Sequence, residues 1–441
     1  MKTQTDTRKL VAPTRRDILK YGTAMTTLAA SGGLAAPALA STGGTIRIGF
    51  VSPQTGPLAA FGEADDFVLA GVRAALAEGL VIDGTSYDVE ILARDSQSNP
   101  SRCAEVTADL ILRDEVQLLL GSSTGDTTNP VADQAEIMEV PCITTDTPWE
   151  AHFFGRGGNP AVGFDWTYHF FWGLGDMLGV FTDMWDTQET NRSVGAFFTN
   201  DVEGVALSDA ELGFPRFIRE AGYELDLPGL ATPMSDEHSA FVSSFASSNI
   251  EILTGAVTPP DFATFWSQAA QQGLRQRLKF CTIAKAMLFP AAVESLGDTG
   301  DGITTEVWWS PSHPFSSGLT GQSSAELAGA FTAATGRQWT QPIGFKHALL
   351  EVAVDVLKRS GNPMDAGAVR DAIAATDYQS VVGPVNWSQG GPTNPIRNVS
   401  TTPLVGGQWK LRNGEFKYEL EIVNNQRAPG ISTTGSLELL S

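Results

Sequence analysis

The residues that most often carry catalysis are few and far apart in this chain. Three cysteines, Cys103, Cys142 and Cys281, form no CxxC pair, and their odd number leaves at least one thiol unpaired in an oxidising compartment. That spacing gives no basis for an iron–sulfur cluster or a structural zinc. Five histidines (His152, His169, His238, His313 and His347) show neither HExxH nor HxH spacing, so none is assigned to a metal. A Walker loop and a GxGxxG after a strand are both missing, and Gly157-Gly158 and Gly406-Gly407 have the look of turns. The adjacent acids Asp65-Asp66 could do acid/base work, but at the start of an expected helix they complement its dipole. No cofactor is expected, and enzyme chemistry has no constellation to stand on.

The chain has 441 residues, 42% of them hydrophobic, which is room for two to four domains, each with a core. A formal net charge of −21 repels phosphate backbones and anionic lipid surfaces, which rules out nucleic acid as a partner and points to a soluble monomer. Residues 1–40 run against this balance, with Lys2, Arg8, Lys9, Arg15, Arg16 and Lys20 set against Asp6 and Asp17. Thr14-Arg15-Arg16-Asp17-Ile18-Leu19-Lys20, an uncharged stretch and Ala38-Leu39-Ala40 form a twin-arginine export pattern with a small-x-small cleavage site. A cleaved signal over 1–40 is expected, leaving the mature chain free in the periplasm. Twin-arginine export carries folded proteins, often with a cofactor already inserted, which makes a redox or metal enzyme the rival reading.

The elements that would position a site alternate between strand and helix. Strands are expected at 45–51, 87–93, 116–120 and 141–144, with helices at 63–78, 101–113 and 130–138 between them. After a break at 154–160 comes an aromatic segment, 166–185. Strand 193–199, helix 205–221, strand 250–255, helix 262–272 and strand 278–283 follow. Residues 308–318 form a second break and 377–391 a third. Helices at 325–334, 343–360 and 366–375 lie between them, and 381–423 is strand-like, with turns at Gly390-Gly391 and Gly406-Gly407. The expected fold is α/β, with two doubly wound parallel-sheet lobes joined by three crossovers. One lobe would take 44–160 plus 310–378, and the other 161–309 plus 379–441.

Several phrases in this order resemble the type I periplasmic binding proteins of ABC importers, the branched-chain amino acid and amide-binding, leucine-binding-protein-like family. Ile48-Gly49-Phe50-Val51-Ser52-Pro53-Gln54-Thr55-Gly56-Pro57 with Phe61-Gly62 is similar to that family's first strand and ligand-facing loop. Leu120-Gly121-Ser122-Ser123-Thr124 resembles the loop whose hydroxyls and amides hold the ligand carboxylate. Such a loop at a strand's carboxyl end, leading into a helix, offers oriented N–H donors, although Ser-Ser-Thr alone reads as a turn or N-cap. Pro141-Cys142-Ile143-Thr144-Thr145-Asp146-Thr147 takes the next ligand position. Gly383-Pro384-Val385-Asn386-Trp387, followed by Gly390-Gly391, resembles the last crossover.

The resemblance implies a soluble receptor that closes two lobes around a small molecule and delivers it to an inner-membrane ABC permease. The alternative is a ligand-sensing subunit that signals to a sensor kinase. Ser122, Ser123 and Thr124, assisted by Thr144 and Thr145, would hold the ligand's polar end. Phe61, Trp149 and Trp309 would pack its body. In amino-acid binders of the family the second lobe supplies an acid and aromatic hydroxyls to the ammonium group. Here Asn200-Asp201-Val202-Glu203-Gly204 puts Asp201 where a tyrosine is frequent, and Val257-Thr258-Pro259-Pro260 places Thr258 in the next loop. Thr282-Ile283-Ala284-Lys285-Ala286 puts Lys285 by the acid's position. A lysine repels an ammonium and attracts a carboxylate, so Asp201 or Lys285 would decide between an amino acid and an amino-free, aromatic or aliphatic, carboxylate or amide. The other dense aromatics, Phe153, Phe154, Phe164, Trp166, Tyr168, Phe170, Phe171, Trp172 and Trp308, read mostly as core or hinge packing.

Overall fold

The computed structural model describes residues 41–388 and 393–440. The export signal over 1–40 and the Gly390-Gly391 turn lie outside the described residues. The described residues form one compact unit.

Six strands open the chain: β1 (Ser41–Ser52), β2 (Leu80–Ile82), β3 (Thr85–Asp95), β4 (Leu118–Gly121), β5 (Cys142–Thr144) and β6 (Thr167–Phe170). Six more follow: β7 (Ser193–Thr199), β8 (Glu224–Asp226), β9 (Leu230–Ala231), β10 (Ile252–Val257), β11 (Phe280–Lys285) and β12 (Thr304–Val307). A hairpin, β13 (Asp377–Ser380) and β14 (Gly383–Asn386), precedes β15 (Val399–Ser400), β16 (Val405–Leu411) and β17 (Tyr418–Asn424).

Two sheets result. The first has the order β15-β6-β5-β4-β1-β3-β2, and the second β17-β16-β12-β11-β10-β7-β8, with β9 paired to β7. Pairing is parallel except for β2 on β3, and for β16 on both β12 and β17. The chain therefore passes between sheets three times, after Phe170, after Val307 and after Ser400. This is the expected α/β fold with two lobes and three crossings.

Two strands sit on the other side of the expected lobe boundaries. Thr167–Phe170 pairs with β5 and Val399–Ser400 with β6, so both belong to the first sheet. The Gly-rich break at 154–160 is a turn within the first lobe, and the actual crossing is the short aromatic step at Phe171 and Trp172. The expected helix 205–221 is two short helices, Val202–Ser208 and Phe214–Glu220.

The sequence explains the parallel strands. Leu118-Leu119-Leu120 and Ile252–Val257 are buried on both faces because helices cover both sides of each sheet. The helix Pro342–Arg359 is buried along nearly its whole length beneath the first sheet. It carries Lys346, His347 and Glu351 inward, each of them bonded to another buried polar group. Among the described residues no helix is long and apolar enough to cross a membrane.

Candidate functional site

Parallel strands in both sheets end at one place. β4 and β5 lead into Thr124 and Asp146, and β6 into Phe171 and Trp172. From the second sheet β7 leads to Glu203, β11 ends in Lys285, and β12 runs into Trp308. Ligands of open α/β sheets bind at these carboxyl ends. The residues line a narrow cleft faced by both lobes. Four rings make its apolar wall. Phe171 packs edge-on against Trp308 at 4.8 Å and tilted against Trp172 at 4.6 Å, while Phe61 stacks over Trp308 at 6.5 Å.

One wall is charged. Lys285 Nζ lies 2.8 Å from Asp201 Oδ2 and 3.1 Å from Glu203 Oε2. Burial alone would pull the lysine's pKa down, but the two acids outweigh it and hold the ammonium above its ordinary range. The backbone of Lys285 is left-handed, with φ +65°, an unusual conformation for a side-chain-bearing residue. Its amide donates to Glu306 at 3.1 Å. Asp201 is fully engaged, since it also caps Val202–Ser208 through the Gly204 amide at 2.8 Å and accepts from Thr199 at 2.9 Å.

The seam between the lobes carries more acid. Glu203 Oε1 accepts from the amide of Gly125, the first residue of the helix Gly125–Ile137. Asp126 lies beside it, and carboxylate oxygens of Asp126, Asp201 and Glu203 fall within 4.8 Å of one another. Burial, with Glu203 adding repulsion, pushes the Asp126 carboxyl up to about 7. Glu306, fully buried, is also raised to about 7 by desolvation.

Several cleft residues hold polar atoms that have no partner. These are Thr124 Oγ1, both carboxylate oxygens of Asp146, and the indole nitrogens of Trp172 and Trp308. Ser123 and Thr145 lie close enough to Asp146 to lower its pKa, and Glu306 is similarly near Trp308, but none is in bonding geometry. Buried polar groups are nearly always bonded, so these unmet atoms make the cleft the candidate binding site.

The sequence profile described as periplasmic binding protein matches residues 45–406. The chain belongs to that family. Solved structures repeat the fold at low identity. The leucine-binding protein LivK of Thermotoga maritima is 19% identical, with a TM-score of 0.65 over 86% of this chain and 99% of that one. LivJ of Streptococcus pneumoniae, solved with isoleucine, is 17% identical, with a TM-score of 0.65 over 85% and 99%. A solute-binding protein of an R. palustris ABC transporter, solved with 4-hydroxybenzoate, is 15% identical, with a TM-score of 0.68 over 86% and 96%. The comparison with curated proteins gives no match.

Three of the residues expected from the sequence line the cleft: Phe61, Thr124 and Lys285. Asp201 stands behind Lys285 as its partner. Ser122 and Ser123 are buried with their hydroxyls 3.4 Å apart and do not line it. Thr144 turns to a histidine cluster, 2.8 Å from His169 Nδ1, where His169 and His152 stack at 4.3 Å. Burial holds both rings neutral, His169 down to about 3. Thr145 donates to the Phe170 carbonyl at 2.7 Å, and Thr258 to Asp261 at 2.6 Å.

The two aromatic candidates lie elsewhere. Trp149 begins a short helix and packs on Gly173 and Phe154. Trp309 is core: its ring lies on Gly344, where a Cβ would come within 2.3 Å of it, and its indole donates to Ser324 at 3.0 Å. Its neighbour Trp308 takes the cleft position. Asp146, Glu203, Trp172 and Trp308 went unselected although all were visible as types. Their signal was position immediately after a strand end, which holds for both lobes. All three cysteines are buried and free, and desolvation pushes the Cys103 thiol up to about 12, which leaves it unreactive.

Proposed function

We propose that this chain is the periplasmic substrate-binding subunit of an ABC importer, exported by the twin-arginine route. It acts as a monomer that captures a small organic molecule by closing its lobes and presents it to an inner-membrane permease. It performs no catalysis; its work is closure. The observation that carries this reading is the cleft, where unpartnered polar atoms of Thr124, Asp146, Trp172 and Trp308 surround an apolar space at the lobe junction. The neighbours solved with isoleucine and 4-hydroxybenzoate support a ligand of that size, either an amino acid or an amino-free carboxylate or amide. Phe61, Phe171 and Trp308 pack its body, and Thr124 and the two indole nitrogens take its acceptor oxygen.

Lys285 does not act as a free ligand cation, because Asp201 and Glu203 already occupy it. Its role is to hold the second lobe's acids together at the seam. The test is a thermal-shift panel on protein unfolded and refolded to strip carried ligand, with amino acids set beside amino-free carboxylates and amides. A ligand at about a thousand times its Kd adds roughly 4 kcal/mol, so a true ligand raises the midpoint by several degrees. A panel without any shift contradicts solute capture.

A further inference from the structure

We propose that the ligand carries a positively charged nitrogen, a protonated amine or a quaternary ammonium, seated beside Asp146 among the rings of Phe61, Phe171, Trp172 and Trp308. This rests on the solute-binding reading and names its substrate class. Asp146 is 3% exposed, lines the cleft, and has neither oxygen bonded. Its backbone is held left-handed at φ +70°, in the turn after β5. A buried carboxylate without a partner is costly, and a cation removes that cost where a neutral or anionic ligand does not.

No neighbouring cation is free to do this. The groups that face Asp146 are Lys346 and Asp65. The Lys346 ammonium is bound by Asp65 and by Ser52 Oγ at 2.7 Å. On the far wall Lys285 is matched by Asp201 and Glu203. Among the lining residues the acids Asp146, Glu203 and Glu306 outnumber the one ammonium, that of Lys285. Ring faces also attract cations, most strongly those of tryptophan. A bare carboxylate such as 4-hydroxybenzoate would enter against this field. Burial pushes the Asp146 carboxyl up to about 7, so it is part-protonated near neutral pH when the cleft is empty, and a cation would ionise it.

The test is calorimetry on the refolded protein with matched probes: choline against 3,3-dimethylbutan-1-ol, and benzylamine against benzyl alcohol and benzoate. In at least one set the cation is expected to bind about ten-fold or more tighter than its neutral counterpart, with benzoate weakest. Asp146→Asn is expected to bring that ratio close to one, and Asp146→Glu to retain it. A second measurement needs no variant: at pH 7, titrations in buffers of different ionisation enthalpy should show proton release with the cation and none with the alcohol. Equal or tighter binding of the alcohol or benzoate overturns the inference and leaves solute capture standing. An unchanged ratio in a folded Asp146→Asn also overturns it. If none of these probes binds, the cation falls, and the wider panel above decides the solute-binding reading separately.

Discussion

Gly125 and Glu203 meet across the seam between the two lobes, the amide of one donating to the carboxylate of the other. The approach depends on the absence of a side chain: a Cβ on Gly125 would lie 2.4 Å from Val202 Cγ1 and 3.2 Å from Glu203 Oε1. Both residues flank the cleft, so the contact belongs to the closed arrangement.

Gly125→Ala should therefore hinder closure without disturbing either lobe. Overlap of this kind costs about 1–3 kcal/mol, so ligand affinity should fall roughly ten- to a hundred-fold. The ligand-free melting temperature should stay within about a degree. Calorimetry beside a thermal scan checks both, and a variant that melts early but binds normally would place the contact in folding instead.

Lys285→Ala should be destructive in a different way. It leaves Asp201 and Glu203 buried beside Asp126 with no cation, and breaking a buried pair costs about 3–5 kcal/mol. Denaturant unfolding should show a loss of this size at pH 7. An unfolding free energy unchanged from wild type contradicts the electrostatic account.

The Asp146 carboxyl gives a pH signature to the empty protein. Its folded pKa, about 7, stands above the unfolded carboxylate value of 3.8, so the folded state holds a proton the unfolded state lacks between those values. Stability from this group is full below about pH 4 and is lost as pH rises through about 7. Between pH 6 and 8 that loss is about 1.4 kcal/mol. Asp146→Asn removes it, so relative to wild type the variant should gain about that much over the same range, read from denaturant midpoints. A constant difference would show that the carboxyl does not titrate there.

Thr144 separates framework from site. Its hydroxyl bonds His169 at 2.8 Å within the neutral histidine pair. Thr144→Val should cost about 1–2 kcal/mol of stability and leave ligand affinity within two-fold. A large affinity loss at unchanged stability would return Thr144 to the ligand shell.

The fold was legible because its signals are local. Short apolar runs such as Leu118-Leu119-Leu120, spaced between longer stretches of helical period, read as buried strands. The lobe boundary was not, because the aromatic segment from Trp166 to Trp172 contains both a strand of one sheet and the crossing to the other. The candidate site was legible in its loops and less so in its side chains. Thr124 and Thr144 both follow the motif, yet one faces the cleft and the other a histidine. Thr144 ends its strand whereas Thr124 caps a helix three residues beyond one, so motif position alone does not fix where either hydroxyl points. Trp308 and Trp309 are adjacent and identical in type. What sends Trp309 into the core is Gly344, thirty-five positions along, whose missing Cβ makes room for its ring. Such non-local packing is invisible in a window of sequence.

Capture of a small molecule in the cleft at the strand ends can be tested at Trp308. Trp308→Phe keeps a ring beside Phe61 and Phe171 but deletes the unpartnered indole N–H. The measurement is calorimetric affinity of wild type and variant for the compound that most stabilises the refolded protein. The account predicts a loss of about ten-fold or more in a variant that melts normally, since a hydrogen bond left unmade costs about 1–3 kcal/mol. Equal affinity in the two proteins would place the binding site elsewhere.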